Sequence, residues 1–466
     1  MPVSKINITE ENLVRIGSFA DSVGAEVYAV GGYVRDTLLG KKVKDIDIVV
    51  VGDGVEFAKN ASASFKWGQV VTFERFGTAM IPIEGGKLEF VAAREESYAR
   101  DSRKPTVAKA SLESDLGRRD FTVNALAASL NKEKFGEVID LFGGRADLEK
   151  KILRTPLDPD RTFDDDPLRM MRAVRFASQL NFAVDTAAIV SIKKMAERIK
   201  IVSQERITDE FLKILSSKKP SIGLKLLYDV GLAKFVFPEL VDMVGVEQRK
   251  DYHHKDVFLH TLKVIDNICE STEDVWLRFT ALAHDIAKPR TKAFKEGIGW
   301  TFHGHEDLGA RMMKSIFRRL RLPMDKLPYV EKLVRLHLRP MVLVSEEITD
   351  SAIRRLLFEA GPEIDDLMML CRADITSQNP QRVVRYLKNY DIVIEKMKEV
   401  EAKDKLRNWQ PPVRGEEIMR VCNIKPGPLV GVLKTKIEEA ILDGNIPNEH
   451  DAALQFLLSI KDQILQ

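Results

Sequence analysis

The chain is poor in cysteine and has no long apolar run. Its 466 residues include three cysteines, an odd number without paired spacing, which argues against a disulfide framework. No stretch approaches the roughly 18 apolar residues that a membrane-spanning helix needs. The first residues, MPVSKINITEENL, lack the apolar core of a secretory signal. We therefore expect a cytoplasmic protein that does not enter a membrane.

The overall charge leaves the function open. The net charge is only +2, although 30% of the side chains are charged and 44% are hydrophobic, a balance typical of a globular protein with an ample core. At about 100–200 residues per domain, the length allows roughly three domains. Because the small total hides local basic groups such as FRRLRLP (317–323), it neither favours nor excludes a nucleic-acid partner.

Strand-like and helical patterns are unevenly distributed along the chain. Up to about Leu141, short β-rich runs such as AEVYAV, KDIDIVVV and KLEFVAA alternate with helical patterns. After that point the strands stop, and apolar residues recur at steps of three and four. The sequence thus predicts the α+β fold class, with a small mixed sheet and its helices followed by a mostly α-helical remainder.

The first chemical signal is the stretch VGGYVRDTLLGKKVKDIDIVV (30–50). Residues two apart on a strand point to the same side, so Asp45 and Asp47 are predicted to project together. Two carboxylates on one side can bind a divalent cation, and hard oxygen ligands suit Mg²⁺, which shares such sites with substrate phosphates. A later strand supplies Glu89 as a candidate third carboxylate. Asp45 and Asp47 are therefore the candidate catalytic residues.

The same stretch contains a glycine pair, followed closely by a basic and an acidic residue. Gly31 and Gly32 let the backbone pass close to phosphates and start a helix whose N-terminal amides favour anions, and Arg35 is predicted to face the same phosphates. The glycine pair, Arg35-Asp36 and the Asp-x-Asp strand, in this order, resemble the signature of the nucleotidyltransferase superfamily that includes DNA polymerase β. The form GGYVRD resembles its tRNA nucleotidyltransferase and bacterial poly(A) polymerase branch.

Three later segments extend the resemblance to class II CCA-adding enzymes, over about the first 240 residues. LGRRDFTVNALA (116–127) resembles the family's second motif, which implies that Arg119 meets the triphosphate and Asn124 supports the sugar or the backbone. DDDPLRMMRAVRFASQLNF (164–182) resembles the base-recognition helix, and SQERITDE (203–210) resembles the helical cap in the neck. The resemblance implies a polymerase-β-type head followed by a helical neck.

Base selection can also be argued from chemistry. Cytosine and adenine both present an amino donor beside an unprotonated ring nitrogen, so a carboxylate next to a guanidinium matches them. Asp166 and Arg169, three apart on a predicted helix, supply that pair, and Arg172 continues the ridge. Arg175 lies further round the helix, so the sequence leaves three alternatives for its contact: phosphate, RNA or a neighbouring carboxylate. A solvated basic helix explains part of the same face. The family's usual outer glutamate is here Asp165.

The histidines carry a second signal, since seven of the eight fall between residues 253 and 337. The segments HHKDVFLHTLKVI, LAHDIAKPRT, FHGHEDLGA, RLHLRP and CRADITSQ resemble the HD phosphohydrolase domain. Mixed imidazole and carboxylate ligands suit Mn, Fe, Co, Ni or Zn, and a two-metal site activates water against a phosphate ester. Family members with this domain act on 2′,3′-cyclic and 2′-phosphates. The implied metal ligands are His260, His284, Asp285, His305, His337 and Asp374.

The resemblance implies template-independent addition of CCA to the 3′ end of tRNA, from CTP and ATP. A poly(A) polymerase, or an enzyme that adds only CC or only A, shares every head motif and stays an alternative. Another alternative is an HD phosphohydrolase with a non-catalytic RNA-binding head, which the Asp45-Asp47 pair disfavours. The polar segment Ala99 to Leu116 resembles the flexible loop that helps the family switch from C to A.

The predicted organisation has four parts. The parts are a catalytic head at 1–143, a helical neck and body for base recognition and RNA binding at 144–245, an HD domain at 246–400, and a helical tRNA-binding tail at 401–466.

Basic residues at 311–321 and 414–436 are candidate contacts to the tRNA backbone, although exposure to solvent explains any one of them equally well.

Overall fold

A computed structural model describes residues 5–73, 77–97, 106–247, 256–297, 299–345, 349–377, 379–404 and 411–465. The chain forms two compact units, Met1–Pro238 and Glu239–Gln466. The predicted division into four parts is finer than this and stays a prediction. No helix in the described part of the chain combines the length and the apolar character needed to cross a bilayer.

The first unit contains a seven-stranded mixed sheet, which confirms the predicted fold class of the head. Its strand order is β3-β4-β5-β2-β1-β8-β9, and β2 and β5 pair in parallel while the other neighbours are antiparallel. The strands of this unit are β1 (Glu26–Val30), β2 (Asp45–Val51), β3 (Val71–Phe73), β4 (Thr78–Ile83), β5 (Gly86–Ala92), β6 (Arg94–Ser97), β7 (Thr106–Lys109), β8 (Leu126–Ser129), β9 (Val138–Asp140), β10 (Ile152–Leu153) and β11 (Ala183–Val184).

The two faces of β2 differ as the alternation in its sequence predicts. Ile46, Ile48 and Val50 are buried on one face, whereas Asp45 and Asp47 are exposed on the other. Further along the acidic face, Val49 joins an apolar cluster that includes Leu116. The acidic end of the strand is therefore held in place by packing on both sides of the sheet.

Helices fill the rest of the first unit, and two expectations about this region were wrong. Strands do not stop at Leu141, because β10 and β11 form a short parallel pair. The segment predicted as one helix from Asp164 is broken before Pro167, since a residue that precedes proline is disfavoured in the α conformation. The helices are α1 (Glu11–Val23), α2 (Gly32–Leu38), α3 (Gly54–Phe65), α4 (Leu112–Gly117), α5 (Gly144–Lys150), α6 (Pro159–Asp165), α7 (Leu168–Leu180), α8 (Thr186–Met195), α9 (Gln204–Leu215), α10 (Pro220–Asp229) and α11 (Ala233–Val236).

The segment Ala99 to Leu116, expected to be a flexible loop, lies partly outside the described residues. Its described part is ordered backbone: β7 pairs with β6, and α4 begins at Leu112 behind the capping residue Ser111.

Within its described residues the second unit is almost entirely helical, as predicted, and it contains a short hairpin that the sequence analysis missed. The strands are β12 (Ala293–Lys295) and β13 (Gly299–Thr301), and the helices are α13 (Val257–Ile268), α14 (Val275–Ala283), α15 (Lys288–Thr291), α16 (His305–Leu320), α17 (Leu327–Leu336), α18 (Arg339–Ser345), α19 (Asp350–Ala360), α20 (Ile364–Ala373), α21 (Pro380–Asp404), α22 (Gly415–Cys422), α23 (Pro428–Leu442) and α24 (His450–Ile464); α12 (Pro238–Asp242) lies at the division between the units. One apolar cluster lies among α13, α14, α17 and α19–α21, and another joins Val413 to the last three helices.

Candidate functional site

Three carboxylates share one face of the head sheet. Asp45 and Asp47 project from the start of β2, and Glu89 on the parallel strand β5 lies in register with Asp47. Lys87, in register with Asp45, places its Nζ 3.4 Å from Oε2 of Glu89. The third carboxylate proposed from sequence is therefore next to the predicted pair, although 42 residues separate Asp47 from Glu89 in the chain.

The electrostatics of this face favour a bound cation. The pKa of Asp47 is raised, first by its partial removal from water and then by the negative charges of Glu89 and Asp45, while Arg119 and Lys87 act in the opposite direction. A divalent cation relieves the same repulsion without adding a proton.

The head carboxylates by themselves form an open ligand set. In the described part of the chain, groups of at least three candidate ligand atoms within 4.8 Å of one another occur only around the histidines of the second unit. The all-oxygen donors of Asp45, Asp47 and Glu89 fit Mg²⁺, which usually takes its remaining ligands from water and substrate phosphates.

The glycine pair forms a tight turn from β1 into α2. Gly31 has φ +68°, a conformation that favours glycine, and a Cβ at this position would lie 2.7 Å from Nη1 of Arg119. Gly32 is the first residue of α2, and Arg35, about one turn later in the same helix, is buried. The turn therefore brings two of the predicted nucleotide-binding arginines close to the same backbone.

A hydrogen-bonded chain links the second motif to α7. Nη1 of Arg35 donates to Oδ1 of Asn124 at 2.6 Å, and Nδ2 of Asn124 donates to Oδ1 of Asp120 at 3.0 Å. Nε of Arg172 donates to Oδ2 of Asp120 at 2.6 Å. Burial opposes the negative charge of Asp120, but Arg172 and Asn124 outweigh it and lower its pKa to about 2. Asp120 is thus an anionic anchor for two predicted site residues.

Arg119 has an acidic anchor of its own. Nη2 of Arg119 lies 3.1 Å from Oδ2 of Asp115, which is fully buried and also pairs with Arg118. Burial raises the pKa of Asp115, but the two arginines outweigh that effect, so the pKa is lowered. Nη1 of Arg119 also donates to the carbonyl oxygen of Asn124 at 3.4 Å. The contacts to Asp115 and Asn124 therefore hold the Arg119 guanidinium close to Gly31.

The predicted base-selecting pair does not lie on one helical surface. Asp166 adopts an extended conformation, φ −140° and ψ 97°, and its Oδ1 accepts from the backbone N–H of Leu168 at 3.0 Å. Arg169 lies in α7 and is buried, and it donates from Nη1 to the carbonyl of Thr162 and from Nη2 to that of Arg118, at 3.3 and 2.6 Å. Asp166 is the residue that ends α6, and its side chain accepts from the first N–H group of α7, the helix that carries Arg169.

Phe176 is surrounded by three arginines. Its ring centroid lies 5.3 Å from Cζ of Arg35, 5.3 Å from Cζ of Arg172 and 4.2 Å from Cζ of Arg175. Nε of Arg175 lies 3.1 Å from Oε2 of Glu210, a buried carboxylate of α9. Of the three contacts left open for Arg175, the structure shows the neighbouring carboxylate.

In the second unit, one aspartate lies at the centre of the histidine cluster. Oδ2 of Asp285 is 3.4 Å from Nε2 of His260 and 3.3 Å from Nε2 of His284, and Oδ1 is 3.3 Å from Nε2 of His305 and 3.8 Å from Nε2 of His337. The candidate ligands therefore form two groups that share Asp285. The two groups would hold two metal ions, with Asp285 contributing to both, and such a pair would supply an activated water.

The sixth predicted ligand joins the first of these groups. Oδ1 of Asp374 lies 2.9 Å from Nε2 of His260 and 3.6 Å from Nε2 of His284. Nζ of Lys288 is 2.6 Å from Oδ2 of Asp285. All six predicted ligands thus converge, with a lysine at their edge.

Each imidazole is oriented through its second nitrogen. Nδ1 is 2.7 Å from a backbone carbonyl in His284, His305 and His337, and in His260 it is 2.9 Å from Oγ1 of Thr376. Such outer contacts fix the tautomer and direct Nε2 toward a metal. Nε2 of His284 is buried and faces Oδ2 of Asp285 at 3.3 Å and Oδ1 of Asp374 at 3.6 Å, so the imidazole and both carboxylates are directed at one point, as in a metal site.

The pKa values of His337 and His284 are shifted in opposite directions. Burial, together with the neighbouring His284 and His305, lowers the pKa of His337 to about 3. Burial also disfavours the charge on His284, but Asp285 and Asp374 outweigh it and raise its pKa to about 10. A metal ion bound by these residues would supply the positive charge that the carboxylates favour, and would compete with a proton for His284. The donor set therefore fits a divalent transition metal.

Sequence reasoning missed the buried acids that hold the arginines. Asp115, Asp120 and Glu210 had no assigned role, although Asp120 and Glu210 stand inside motifs that were recognised. The acid that follows two arginines in GRRDF was the available signal for Asp120, whereas Glu210 is one of three acids in SQERITDE and no feature of that segment distinguishes it. His253 and His254 lie outside the described residues, whereas His450 is exposed and pairs with Glu417.

Known protein families match three separate parts of the chain. The Poly A polymerase head domain matches residues 27–154, the probable RNA and SrmB-binding site of polymerase A matches 181–243, and the HD domain matches 257–377.

Relatives of known name match most of the chain or its head. The Multifunctional CCA protein of Nitrosococcus oceani is 32% identical over 362 residues, which are 75% of this chain and 84% of that protein. The A-adding tRNA nucleotidyltransferase of Aquifex aeolicus is 44% identical over 199 residues, which are 40% of this chain and 24% of that protein.

Solved structures share the fold over nearly the whole length. The Bacillus stearothermophilus CCA-adding enzyme in complex with CTP superposes with a TM-score of 0.68 at 24% identity, covering 98% of this chain and 99% of that one. The Thermotoga maritima CCA-adding enzyme complexed with tRNA gives a TM-score of 0.63 at 23% identity, covering 99% and 100%. With the 32% identical relative, these matches confirm the resemblance. The chain belongs to the family of class II CCA-adding enzymes, that is, the tRNA nucleotidyltransferases and poly(A) polymerases, and it carries an HD domain.

Proposed function

We propose that this chain adds CCA to the 3′ end of tRNA, from CTP and ATP and without a template. The observation that carries the proposal is the placement of Asp45 and Asp47 on one exposed sheet face, with Glu89 in register beside them. The relative from Nitrosococcus oceani, matched over 84% of its length, bears the name Multifunctional CCA protein.

The chemistry proposed for the head is an in-line phosphoryl transfer. The 3′-oxygen of the RNA forms a bond to the α-phosphorus and loses its proton, while the bond from that phosphorus to pyrophosphate breaks. Mg²⁺ held by Asp45 and Asp47 would supply activation of the hydroxyl and neutralise the leaving group. Arg35 and Arg119, fixed near the glycine turn, provide positive charge for the triphosphate.

Base selection is proposed to depend on Asp166 and Arg169, with Arg172 beside them. Arg169 uses two of its five N–H donors on main-chain carbonyls, which fixes the plane of the guanidinium and leaves donors for a base. Asp166, fixed at the start of α7, offers the matching acceptor. Because Asp120 holds Arg172 in place, the selecting groups belong to one connected network.

An enzyme that adds only A is the strongest alternative. Two named A-adding enzymes are 38% and 44% identical over short matches of 229 and 199 residues, whereas named CCA proteins are 32% and 35% identical over 362 and 315 residues. These two A-adding enzymes are matched over only about a quarter of their own length, 26% and 24%, but that of Deinococcus radiodurans is 30% identical over 351 residues, which are 78% of its length. Over matches of comparable length, the Multifunctional CCA protein of Nitrosococcus oceani is slightly more similar, at 32% over 362 residues, and the complete CCA reaction is proposed on that ground.

We infer a second, hydrolytic site in the HD domain. Its supporting observation is the pair of ligand groups that share Asp285. A divalent transition metal, such as Mn, Fe, Co, Ni or Zn, would supply an activated water to a phosphate ester. Lys288, 2.6 Å from Asp285, is placed to bind a phosphate oxygen. The proposed substrates are 2′,3′-cyclic and 2′-phosphates at RNA ends, where water adds to phosphorus and an ester oxygen leaves with a proton.

Separate substitutions test whether the two sites are independent. Asp45→Asn is expected to abolish nucleotide addition and leave ester hydrolysis intact, whereas Asp285→Asn is expected to do the reverse. Melting curves of both variants check that the fold persists. Loss of both activities in either variant would contradict two independent sites.

The tRNA contacts proposed for the tail, the division into four domains and the cytoplasmic location rest on the sequence and remain proposals.

A further inference from the structure

A short hairpin connects two ligands of the proposed HD centre. Three residues after Asp285 the chain enters α15, continues through β12 and β13, and reaches His305 four residues after the hairpin ends. Phe294 pairs directly with Trp300 across the hairpin, so their side chains lie on the same face.

The two aromatic side chains are unusually accessible. Phe294 is 65% exposed and Trp300 is 37% exposed. Their ring centroids are 5.3 Å apart at an interplanar angle of 75°, and Nζ of Lys292 lies 4.3 Å from the centroid of Trp300. A cross-strand aromatic pair stabilises a two-stranded ribbon, but burial of the rings against the core would serve that purpose better. Their exposure instead leaves ring surface for a ligand.

The base of the hairpin is built into the metal centre. Nζ of Lys288 lies 2.6 Å from Oδ2 of Asp285 and 5.7 Å from the ring centroid of Phe302. The carbonyl of Phe302, directly after β13, is 2.7 Å from Nδ1 of His305. Trp300 is therefore two residues along the chain from Phe302, which contacts both Lys288 and His305 of the centre.

The charge of this segment suits an anionic ligand. The only acid between residues 286 and 301 is Glu296, whereas four basic residues lie in the same stretch. Basic groups interleaved with exposed aromatic rings are the features by which proteins bind unpaired nucleotides, because bases stack on the rings while cations meet the phosphates. The basic residues are Lys288, Arg290, Lys292 and Lys295.

We propose that Phe294 and Trp300 form a stacking platform for the terminal nucleobase of a single-stranded RNA end whose phosphate lies at the HD centre. The inference rests on the proposed hydrolytic function and adds to it the part of the substrate that is recognised. Stacking tolerates any base, since every base has a π face. The hairpin therefore distinguishes a nucleotide from a base-free phosphate ester, and not one base from another.

The test compares an ester that has a base with one that lacks it. The probes are cytidine 2′,3′-cyclic phosphate and methyl ribofuranoside 2,3-cyclic phosphate. Equilibrium dialysis of the metal-depleted full-length chain gives Kd, and hydrolysis by the Mn²⁺-loaded chain gives KM and kcat. The variants are Trp300→Ala, Phe294→Ala and Trp300→Phe. Phe73→Ala, which removes an exposed ring from the edge of the head sheet, is the matched control.

We expect Trp300→Ala and Phe294→Ala to raise Kd and KM for the cytidine ester by roughly fivefold to 100-fold, the range for loss of one stacked base. Trp300→Phe restores most of the affinity, Phe73→Ala changes nothing, and the base-free ester binds all variants alike. Equal binding of the two esters by the unmodified chain, or an equal loss for both esters in the alanine variants, overturns the platform. If both esters are hydrolysed equally well, the platform is refuted and the hydrolytic function stands. If the cytidine ester binds more tightly than the base-free ester and this preference needs Trp300, but neither ester is hydrolysed, the hydrolytic function is refuted and the platform stands.

Discussion

Replacing Asp120 by asparagine tests the anchor that connects the second motif to α7. The substitution keeps the size of the side chain and removes its charge. Oδ2 of Asp120 receives Nε and Nη2 of Arg172, both at 2.6 Å, and Oδ1 receives the backbone N–H of Phe121 and the amide of Asn124. An asparagine presents one acceptor and one donor, so either Arg172 or Asn124 meets an N–H group in place of an oxygen.

The size of the effect follows from the pKa of Asp120. Its fall from 3.8 to about 2 corresponds to about 2 kcal/mol of stabilisation by the ionised form. A loss of about 2 kcal/mol lowers the Tm of a unit of this size by roughly 4–8 °C. Because the folded pKa is depressed, the contribution is complete above pH 4 and is lost as the pH falls from about 4 toward 2. The difference between the two proteins should shrink over that range.

Differential scanning calorimetry between pH 7 and pH 3 measures this difference. Asp160→Asn is the matched control, since Asp160 pairs with Lys194 on the surface of the same unit and should have little effect when changed. A double-mutant cycle with Arg172→Met isolates the pairwise term. A Tm for Asp120→Asn within 1 °C of the unmodified protein at pH 7, or a difference that does not change with pH, would refute the anchoring argument.

Three further changes have defined outcomes. Gly31→Ala places a Cβ 2.7 Å from Nη1 of Arg119 at φ +68°, so we expect nucleotide addition to fall while ester hydrolysis is unchanged; equal addition rates would show that the turn tolerates a side chain. Thr376→Val removes the hydrogen bond to Nδ1 of His260 and should weaken metal binding by roughly 10- to 100-fold, measured by calorimetric titration, and an unchanged Kd would deny Thr376 this orienting role. Metal affinity should rise with pH, because the metal competes with the proton on His284, whose pKa Asp285 and Asp374 raise to about 10; a Kd independent of pH would contradict this competition.

Much of the head was predictable because its signals are local. The runs AEVYAV, KDIDIVVV and KLEFVAA became β1, β2 and β5, since alternation along one strand decides which face is buried. The four histidine and two aspartate ligands were named from the resemblance to the HD domain, which depends on their order in the chain, and the structure brings all six together. Metal binding by them stays a prediction.

The errors arose where distant residues or a single proline decide the structure. Pro167 ends the continuous helix that the apolar spacing predicted, and this changes Asp166 from a helical neighbour of Arg169 into a capping residue. The contact of Arg172 with Asp120 spans 52 residues, and no local pattern encodes it. The hairpin of the second unit was missed because its strands are only three residues long.

The most direct test of the central claim is a nucleotide-addition assay with single-nucleotide resolution. The purified chain and Mg²⁺ are incubated with tRNA that lacks its 3′ CCA, and with tRNA that ends in CC, with each of the four nucleoside triphosphates singly and together. The account predicts growth by two nucleotides with CTP alone, completion by one A when ATP is added, and no product with Asp45→Asn. Addition of A to the CC end without any growth from CTP would make the chain an A-adding enzyme, an unlimited A tail would make it a poly(A) polymerase, and no addition at all would contradict the proposed role of the head.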